Sequence, residues 1–358
     1  MTKRTIQGLI ATAAVIVPIV TFLLLRTGGP IRADSPNLVR ADSGIQLVMG
    51  TFARVVAFTD DIATGNQCIE SALDEINNVD NLMSDYKPDS EISRVNDYAF
   101  AQPVTVGPAT FEVLEKSIEI SKLTDGAFDI TVGPLVKLFR TARDTGKTPT
   151  PEQIADAKAK VGYEKLVLND AEKSVSFTVK GMSLDLGGIA KGYAVDKAIE
   201  VMQQHGALGA MVDIGGDVRC FGRPPKGKKT WIIGLQDPNT DNGATGIILK
   251  LKIAASAVTT SGDYQQYAII DGKRQSHILD RKTGKSAQSL ASVTIIAKNA
   301  TTADALATAV TVLGPQKGLD LIENIPDTEA FLISPGPTYE ITKTTGAEKY
   351  IKEPPASE

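Results

Sequence analysis

Apolar residues recur at helical spacing at Cys68, Ala72, Ile76, Val79 and Leu82/Met83, which predicts an amphipathic helix following a strand from Thr51 to Phe58. Cys68 falls on the apolar face and reads as a small core residue. Another helix is predicted from Ala109 to Leu123. At Thr150-Pro151-Glu152-Gln153 an N-cap, a proline at the first helical position and a glutamine three residues after the cap open a further helix, to about Val161. Leu166 to Leu168 and Val175 to Val179 look like paired short strands. A helix beginning near Ala190 stops at Gly206, with His205 in its last turn as a partner for the helix dipole.

Beyond Gly206 the pattern changes to strands at Ala210 to Ile214, Trp231 to Leu235 and Ile247 to Ile253. Gln266 to Ile270 and Gln275 to Leu279 are joined through Asp271-Gly272, a strong hairpin signal. Val293 to Ala297 is one more strand, followed by helices from Thr302 to Leu313 and from Gln316 to Ile325. Strands and helices interleave with hairpins rather than repeated crossovers, so the fold class expected is α+β. The folded domain is expected over residues 44–345, followed by a charged, mobile tail over 346–358.

The N-terminus differs. Lys3 and Arg4 precede an uncharged run from Ile6 to Leu25, which as a helix would be about 30 Å long, enough to cross a hydrocarbon core. Residues 1–26 are read as an uncleaved transmembrane anchor in preference to a cleaved signal sequence, with the polar, Gly/Pro-punctuated stretch 27–43 as a linker. The basic residues before the span put the N-terminus in the cytoplasm and the rest of the chain outside. The expected location is thus the inner membrane, with an extracytoplasmic, periplasmic domain.

The chain has 358 residues, with 38 Lys and Arg against 42 Asp and Glu. It carries no basic stripe to track a phosphate backbone, so nucleic acid is not expected as a partner. Two cysteines and two histidines exclude a thiolate zinc cluster and leave little for a histidine metal site. A metal here should be a hard ion held by oxygen.

Three stretches carry candidate chemistry. In Ala303-Asp304-Ala305-Leu306-Ala307-Thr308, Asp304 and Thr308 are one helical turn apart on the same face. They would suit magnesium, or form a solvated polar stripe whose threonine bonds back to a carbonyl. In Ser183-Leu184-Asp185-Leu186-Gly187-Gly188-Ile189-Ala190-Lys191-Gly192, three glycines lie within six residues, although each costs about 1 kcal/mol against alanine inside a helix. Either an anion approaches the helix start, with Lys191 as an added charge, or the turn is tightly packed. The corner Asp213-Ile214-Gly215-Gly216-Asp217 has the same ambiguity. Thr259-Thr260-Ser261-Gly262 offers hydroxyls and amides before the hairpin whose return strand carries His277, a candidate general base or a structural strand residue. Gly222 to Lys228 mimics a phosphate-binding loop, but Lys229 replaces the magnesium-binding hydroxyl and two prolines remove donors.

Seven ordered motifs together resemble the ApbE family, the FAD:protein FMN transferases. They are Met49-Gly50-Thr51-Phe52, Met83-Ser84-Asp85-Tyr86 with Ile92-Ser93-Arg94-Val95-Asn96, Asp125-Gly126-Ala127-Phe128-Asp129, Asp185 to Tyr193, Thr260-Ser261-Gly262-Asp263-Tyr264, Ser276-His277-Ile278, and Ala303 to Thr308. The resemblance implies a T-fold-like α+β domain that binds FAD and magnesium, moves FMN onto a threonine or serine of a partner, and releases AMP. It places flavin contacts at Met49, Tyr86, Ala127, Phe128, Asp129, Asp185, Lys191, Ser261 and Ile278. Magnesium contacts fall at Gly188, through its carbonyl, Asp304 and Thr308. Some members have a further acidic contact where this chain has Ala307. His277 is the candidate base. The acceptor implied is a flavoprotein or redox-complex subunit carrying Asp, two residues, Thr or Ser, Gly, Ala, then Thr or Ser. Asp280 to Ser286 resembles that pattern, with lysine for alanine, and reads as a turn. The rival readings are an FAD pyrophosphatase and a non-catalytic FAD-binding protein.

Overall fold

A computed structural model describes residues 38–352 apart from 223, 225–227, 239–245, 263–266, 337 and 339. The chain opens with strands β1 (Val39–Asp42), β2 (Gln46–Val48) and β3 (Thr51–Thr59), then helices α1 (Ile62–Met83) and α2 (Glu91–Tyr98). There follow β4 (Val104–Thr105), α3 (Pro108–Leu123), α4 (Gly133–Thr145), α5 (Pro151–Ala159), β5 (Leu166–Asn169), β6 (Ser174–Phe177) and α6 (Ala190–Gln204). The second half comprises β7 (Gly209–Ile214), β8 (Asp217–Gly222), β9 (Trp231–Gln236), β10 (Ile247–Ile253), β11 (Ala257–Gly262), β12 (Tyr267–Ile270) and β13 (Lys273–Ser276). It closes with β14 (Leu279–Asp280), β15 (Lys285–Ser286), β16 (Ser292–Ala297), α7 (Ala300–Leu313), α8 (Pro315–Glu323), β17 (Glu329–Ile333) and β18 (Ile341–Lys343).

The main sheet runs β1-β3-β7-β8-β11-β16-β17-β18, with β2 also on β3, and its pairings are antiparallel. With the smaller hairpin sheets this is the expected mixture of helices and antiparallel strands. One face of the sheet carries α1, α6 and α7, and the principal core lies between. The β9–β10 hairpin closes the other face over Phe58, Met211, Cys220 and Phe331. Covering on both faces explains why β16 and β17 are buried along their whole length rather than alternating. The capping box at Thr150 forms as predicted. The helix positions Cys68, Ala72, Ile76, Val79 and Met83 are buried. Cys68 and Cys220 are buried free thiols.

Three boundaries differ from the sequence reading. β1 lies inside the stretch read as linker: Ala41 is buried while Arg40 and Asp42 stay at the rim, where Arg54 also grips Asp42 at 2.7 Å. An edge strand tolerates such charges, which disguised it. The tail read as mobile begins as a 3-10 turn, Thr345–Tyr350, with Ala347 buried and Lys352 N donating to Lys250 O at 2.8 Å. Third, α4 stands where no element was predicted; Gly133 and Pro134 open it. Among the described residues no helix is long and apolar enough to cross a membrane. The anchor expected at residues 1–26, linker residues 27–37 and tail residues 353–358 lie outside the described residues.

Candidate active site

The glycines of the α6 entry have negative φ, so space rather than conformation demands them. A Cβ at Gly192 would lie 2.3 Å from the Ala300 carbonyl oxygen, so α6 and α7 could not meet there. A Cβ at Gly188 would lie 2.8 Å from Thr308 Oγ1 and 3.4 Å from Phe128. The packed-turn reading thus holds for both glycines: Gly192 lets α6 meet α7, and Gly188 lets Thr308 and Phe128 close against its backbone.

The amides are more committed than an open anion nest. Gly187 N donates to Asp185 Oδ1 at 2.8 Å, Ala190 N to Leu186 O at 2.9 Å, and Gly192 N to Asp304 Oδ2 at 3.0 Å. In a regular helix the Gly192 amide would bond to the Gly188 carbonyl. Its diversion to Asp304 leaves that carbonyl accepting no hydrogen bond among the described residues. Asp304 is 3% exposed and therefore not part of a solvated stripe. The Thr308 hydroxyl makes no bond among the described residues, whereas Thr311 bonds back to Ala307 O at 2.8 Å. A carbonyl, a carboxylate and a hydroxyl, all oxygen, are the donor chemistry of a hard divalent cation. No group of three His, Cys, Asp or Glu suited to a metal exists among the described residues, so a cation here depends on this mixed set.

The local charge favours such an ion. Lys191 pairs with Asp217 and stands 3.8 Å from Asp304, so one ammonium faces two carboxylates. Burial works to lower the Lys191 ammonium, and the two carboxylates outweigh it and hold it above its ordinary range. Burial also pushes Asp304 up, and the charge of Asp217 adds to it against Lys191 and the Gly192 amide. Asp217 is likewise pushed up by burial, against Lys191. A diphosphate would be repelled by this surplus of carboxylate unless a cation came with it.

The neighbouring corner extends the patch. Gly215 N donates to Phe52 O at 2.8 Å, and a Cβ at Gly215 would strike Thr51 Oγ1 at 2.8 Å, so the start of β3 packs against the Gly215-Gly216 corner. Met49 itself has φ of 48° and packs partly on the core. Asp213 is pushed up to about 6 by burial, against the Gly216 amide and Arg54. Its unfolded value is near 3.8, so the fold binds the proton more tightly, and stability should fall as pH rises from about 4 to 6. Asp213→Asn retains an acceptor for Gly216 and is expected to be about 1–2 kcal/mol more stable than wild type at pH 8, with the gain vanishing near pH 4. Thermal midpoints at both pH values check this; an equal gain at both would contradict it.

Phe128 is buried against Gly188. Asp129 turns inward: Oδ1 accepts from Thr131 N at 2.8 Å and Oδ2 from Tyr163 N at 2.9 Å and Arg281 Nη1 at 3.0 Å. Asp280 to Ser286 is indeed a turn, between β14 and β15, and its Arg281 buttresses Asp129 and Glu164. Asp185 Oδ2 accepts from Arg140 Nη2 at 2.9 Å, and Arg140 also lies 4.3 Å from the Tyr86 ring centre. Ser261, partly exposed on β11, follows Thr260, whose amide faces Asp217. Asp263 and Tyr264 lie outside the described residues.

His277 is exposed, and it sits in a bend after β13 rather than within a strand. Ser276 Oγ accepts from Ile278 N at 3.2 Å and the Ser276 carbonyl accepts from Ser286, which closes the bend. Ile278 is buried beside it. Sequence reasoning missed Arg140 and Arg281 altogether. Their partners are remote in the chain, and a lone arginine on a polar helix face or in a turn has no local signature.

Comparison with known proteins places the whole domain. The family model described as ApbE family matches residues 49–332. A curated relative from Haemophilus influenzae, named FAD:protein FMN transferase, is 36% identical over 291 residues, 80% of this chain and 82% of the relative. One of the same name from Escherichia coli K12 is 34% identical over 279 residues, 76% of this chain and 79% of the relative. The ApbE crystal structure from Thermotoga maritima superposes with TM-score 0.78 at 32% identity, covering 88% of this chain and all of that one. The flavin transferase ApbE from Vibrio cholerae gives TM-score 0.74 at 27% identity, with 88% and 99% covered. With the motifs in order, the fold shared and the oxygen site assembled, this chain belongs to the ApbE family of FAD:protein FMN transferases.

Proposed function

We propose that the chain transfers FMN from FAD to a threonine or serine hydroxyl of an extracytoplasmic acceptor, with Mg2+ held by the Gly188 carbonyl, Asp304 and Thr308. The observation that carries this is the diverted Gly192 amide, which frees one oxygen of the set while fixing another. Bound there, Mg2+ supplies charge neutralisation for the diphosphate.

The protein's own residues do the rest by positioning. Lys191 holds Asp304 and Asp217 in place, and the absence of a Cβ at Gly188 lets the Thr308 hydroxyl sit close to that backbone. Tyr86, Met49, Ile278, Ser261, Asp185 and the Ala127–Asp129 backbone frame the flavin nucleotide. His277, exposed to solvent, takes the proton of the incoming hydroxyl. That oxygen bonds to the FMN phosphorus, the phosphoanhydride bond breaks, and AMP leaves with the bridging oxygen. The acceptor presents Asp, two residues, Thr or Ser, Gly, Ala, then Thr or Ser. The apolar run Ile6 to Leu25 behind Lys3 and Arg4 supports an anchored, periplasmic domain.

Incubating the full-length protein with FAD, Mg2+ and an acceptor domain tests the reading. Flavin fluorescence in the denatured acceptor band is expected, together with AMP. Free FMN in its place would mean hydrolysis, and intact FAD would mean binding alone.

A further inference from the structure

We infer that Arg140, on α4, is a positioning residue that joins three separate segments into one flavin platform. The inference rests on the reading of Tyr86 and Asp185 as flavin contacts. From α4 one guanidinium reaches the other two segments: Nη1 donates to Asp85 Oδ2 at 2.6 Å and its central carbon lies 4.3 Å from the adjacent Tyr86 ring centre, while Nη2 donates to Asp185 Oδ2 at 2.9 Å. The planar fork suits two carboxylates at once, which an ammonium would not do.

Each contact has a consequence for the ligand. Tyr86 is 72% exposed, so its ring has little packing of its own; the guanidinium covers one face and leaves the other for a stacked ring system. Asp185 passes the constraint on through Oδ1, which accepts the Gly187 amide at 2.8 Å and so sets the turn that presents Gly188. Without Arg140, Asp85 and Asp185 would be like charges facing each other with no cation between them, and the tyrosine and the turn would both have to be ordered by the nucleotide. Ordering on binding weakens affinity rather than the chemical step.

The test uses the full-length chain, with FAD affinity read from flavin fluorescence quenching and transfer kinetics measured in parallel. Arg140→Met is expected to raise both Kd and KM for FAD about tenfold or more, with kcat changed less than about threefold. Arg140→Lys should recover only a minor part of the loss. Tyr86→Leu should weaken FAD binding strongly in the wild-type background and by less than about a third as much in the Arg140→Met background, because the two act as a unit. A fall in kcat at unchanged KM, an unchanged Kd, full rescue by lysine or additive effects would each overturn the proposal. Should Arg140→Met fail to fold, Asp85→Asn removes one arm of the clamp from the surface side. A Kd raised about threefold or more there supports the proposal, and an unchanged one overturns it. A wild-type protein that binds FAD but transfers nothing would sink the transferase reading, while the Kd comparison still decides the role of Arg140. No FAD binding at all would sink both.

Discussion

Asp304→Asn is expected to lower FMN transfer by a factor of about 1,000 or more while leaving a folded protein. Asparagine keeps an oxygen to accept the Gly192 amide, so the α6–α7 contact survives. What it removes is a negative charge that the fold holds at a cost, since burial and Asp217 both push Asp304 toward its neutral form. Loss of that charge therefore spares stability and removes the cation. The two effects separate in one measurement without turnover: Mg2+ should raise the thermal midpoint of the wild type by mass action and leave that of the variant unmoved. Equal shifts in both proteins, or normal transfer by the variant, would remove Asp304 from the metal site. Ala307 adds weight to this test. With alanine where some family members place another acid, Asp304 is the one carboxylate in the set.

His277→Ala is expected to lower kcat about 100- to 10,000-fold, with FAD affinity changed less than twofold. The histidine stands at an exposed bend, where a hydroxyl from another protein can reach it, and not among the buried carboxylates around Lys191. Its loss should leave nucleotide binding alone and change the acidic limb of the pH–rate profile, leaving only the part set by Asp304, whose carboxyl burial and Asp217 push up. Turnover and pH dependence identical to wild type would assign the base elsewhere. A matched loss of FAD affinity would make His277 a binding group.

Much of the fold could be read before any tertiary contact was known. The helical spacing of Cys68 to Met83, the capping box at Thr150, the Asp-Gly hairpin turn and the apolar strand Val293 to Ala297 are local signals and formed where they were read, although the hairpin's return strand, read from Gln275 to Leu279, runs Lys273–Ser276. Elements with mixed local signals were not legible. β1 carries Arg40 and Asp42 because it is an edge, so it lacks the apolar alternation of a covered strand; α4 does carry a helical period, at Leu135, Leu138, Phe139 and Ala142, but opens on Gly133-Pro134, which locally signals a turn. The tail was misread for a related reason. Ala347, Tyr350 and Ile351 are too few to announce themselves, yet they close the second core.

Taken alone, the order of residues determined which groups are carried: side-chain oxygens one turn apart at Asp304 and Thr308, glycines that make room, an imidazole, and the motif order that marks the family. The tertiary structure decided what those groups are bonded to. It spent the Gly192 amide on Asp304 across 112 residues, tied Arg140 to Asp85 across 55 and to Asp185 across 45, and turned Asp129 toward Arg281 across 152. Spacing, capping and turn preferences act within a few residues. The charge balance of a buried site is settled by whichever distant side chains the sheet and helices bring together, and it leaves no periodicity behind.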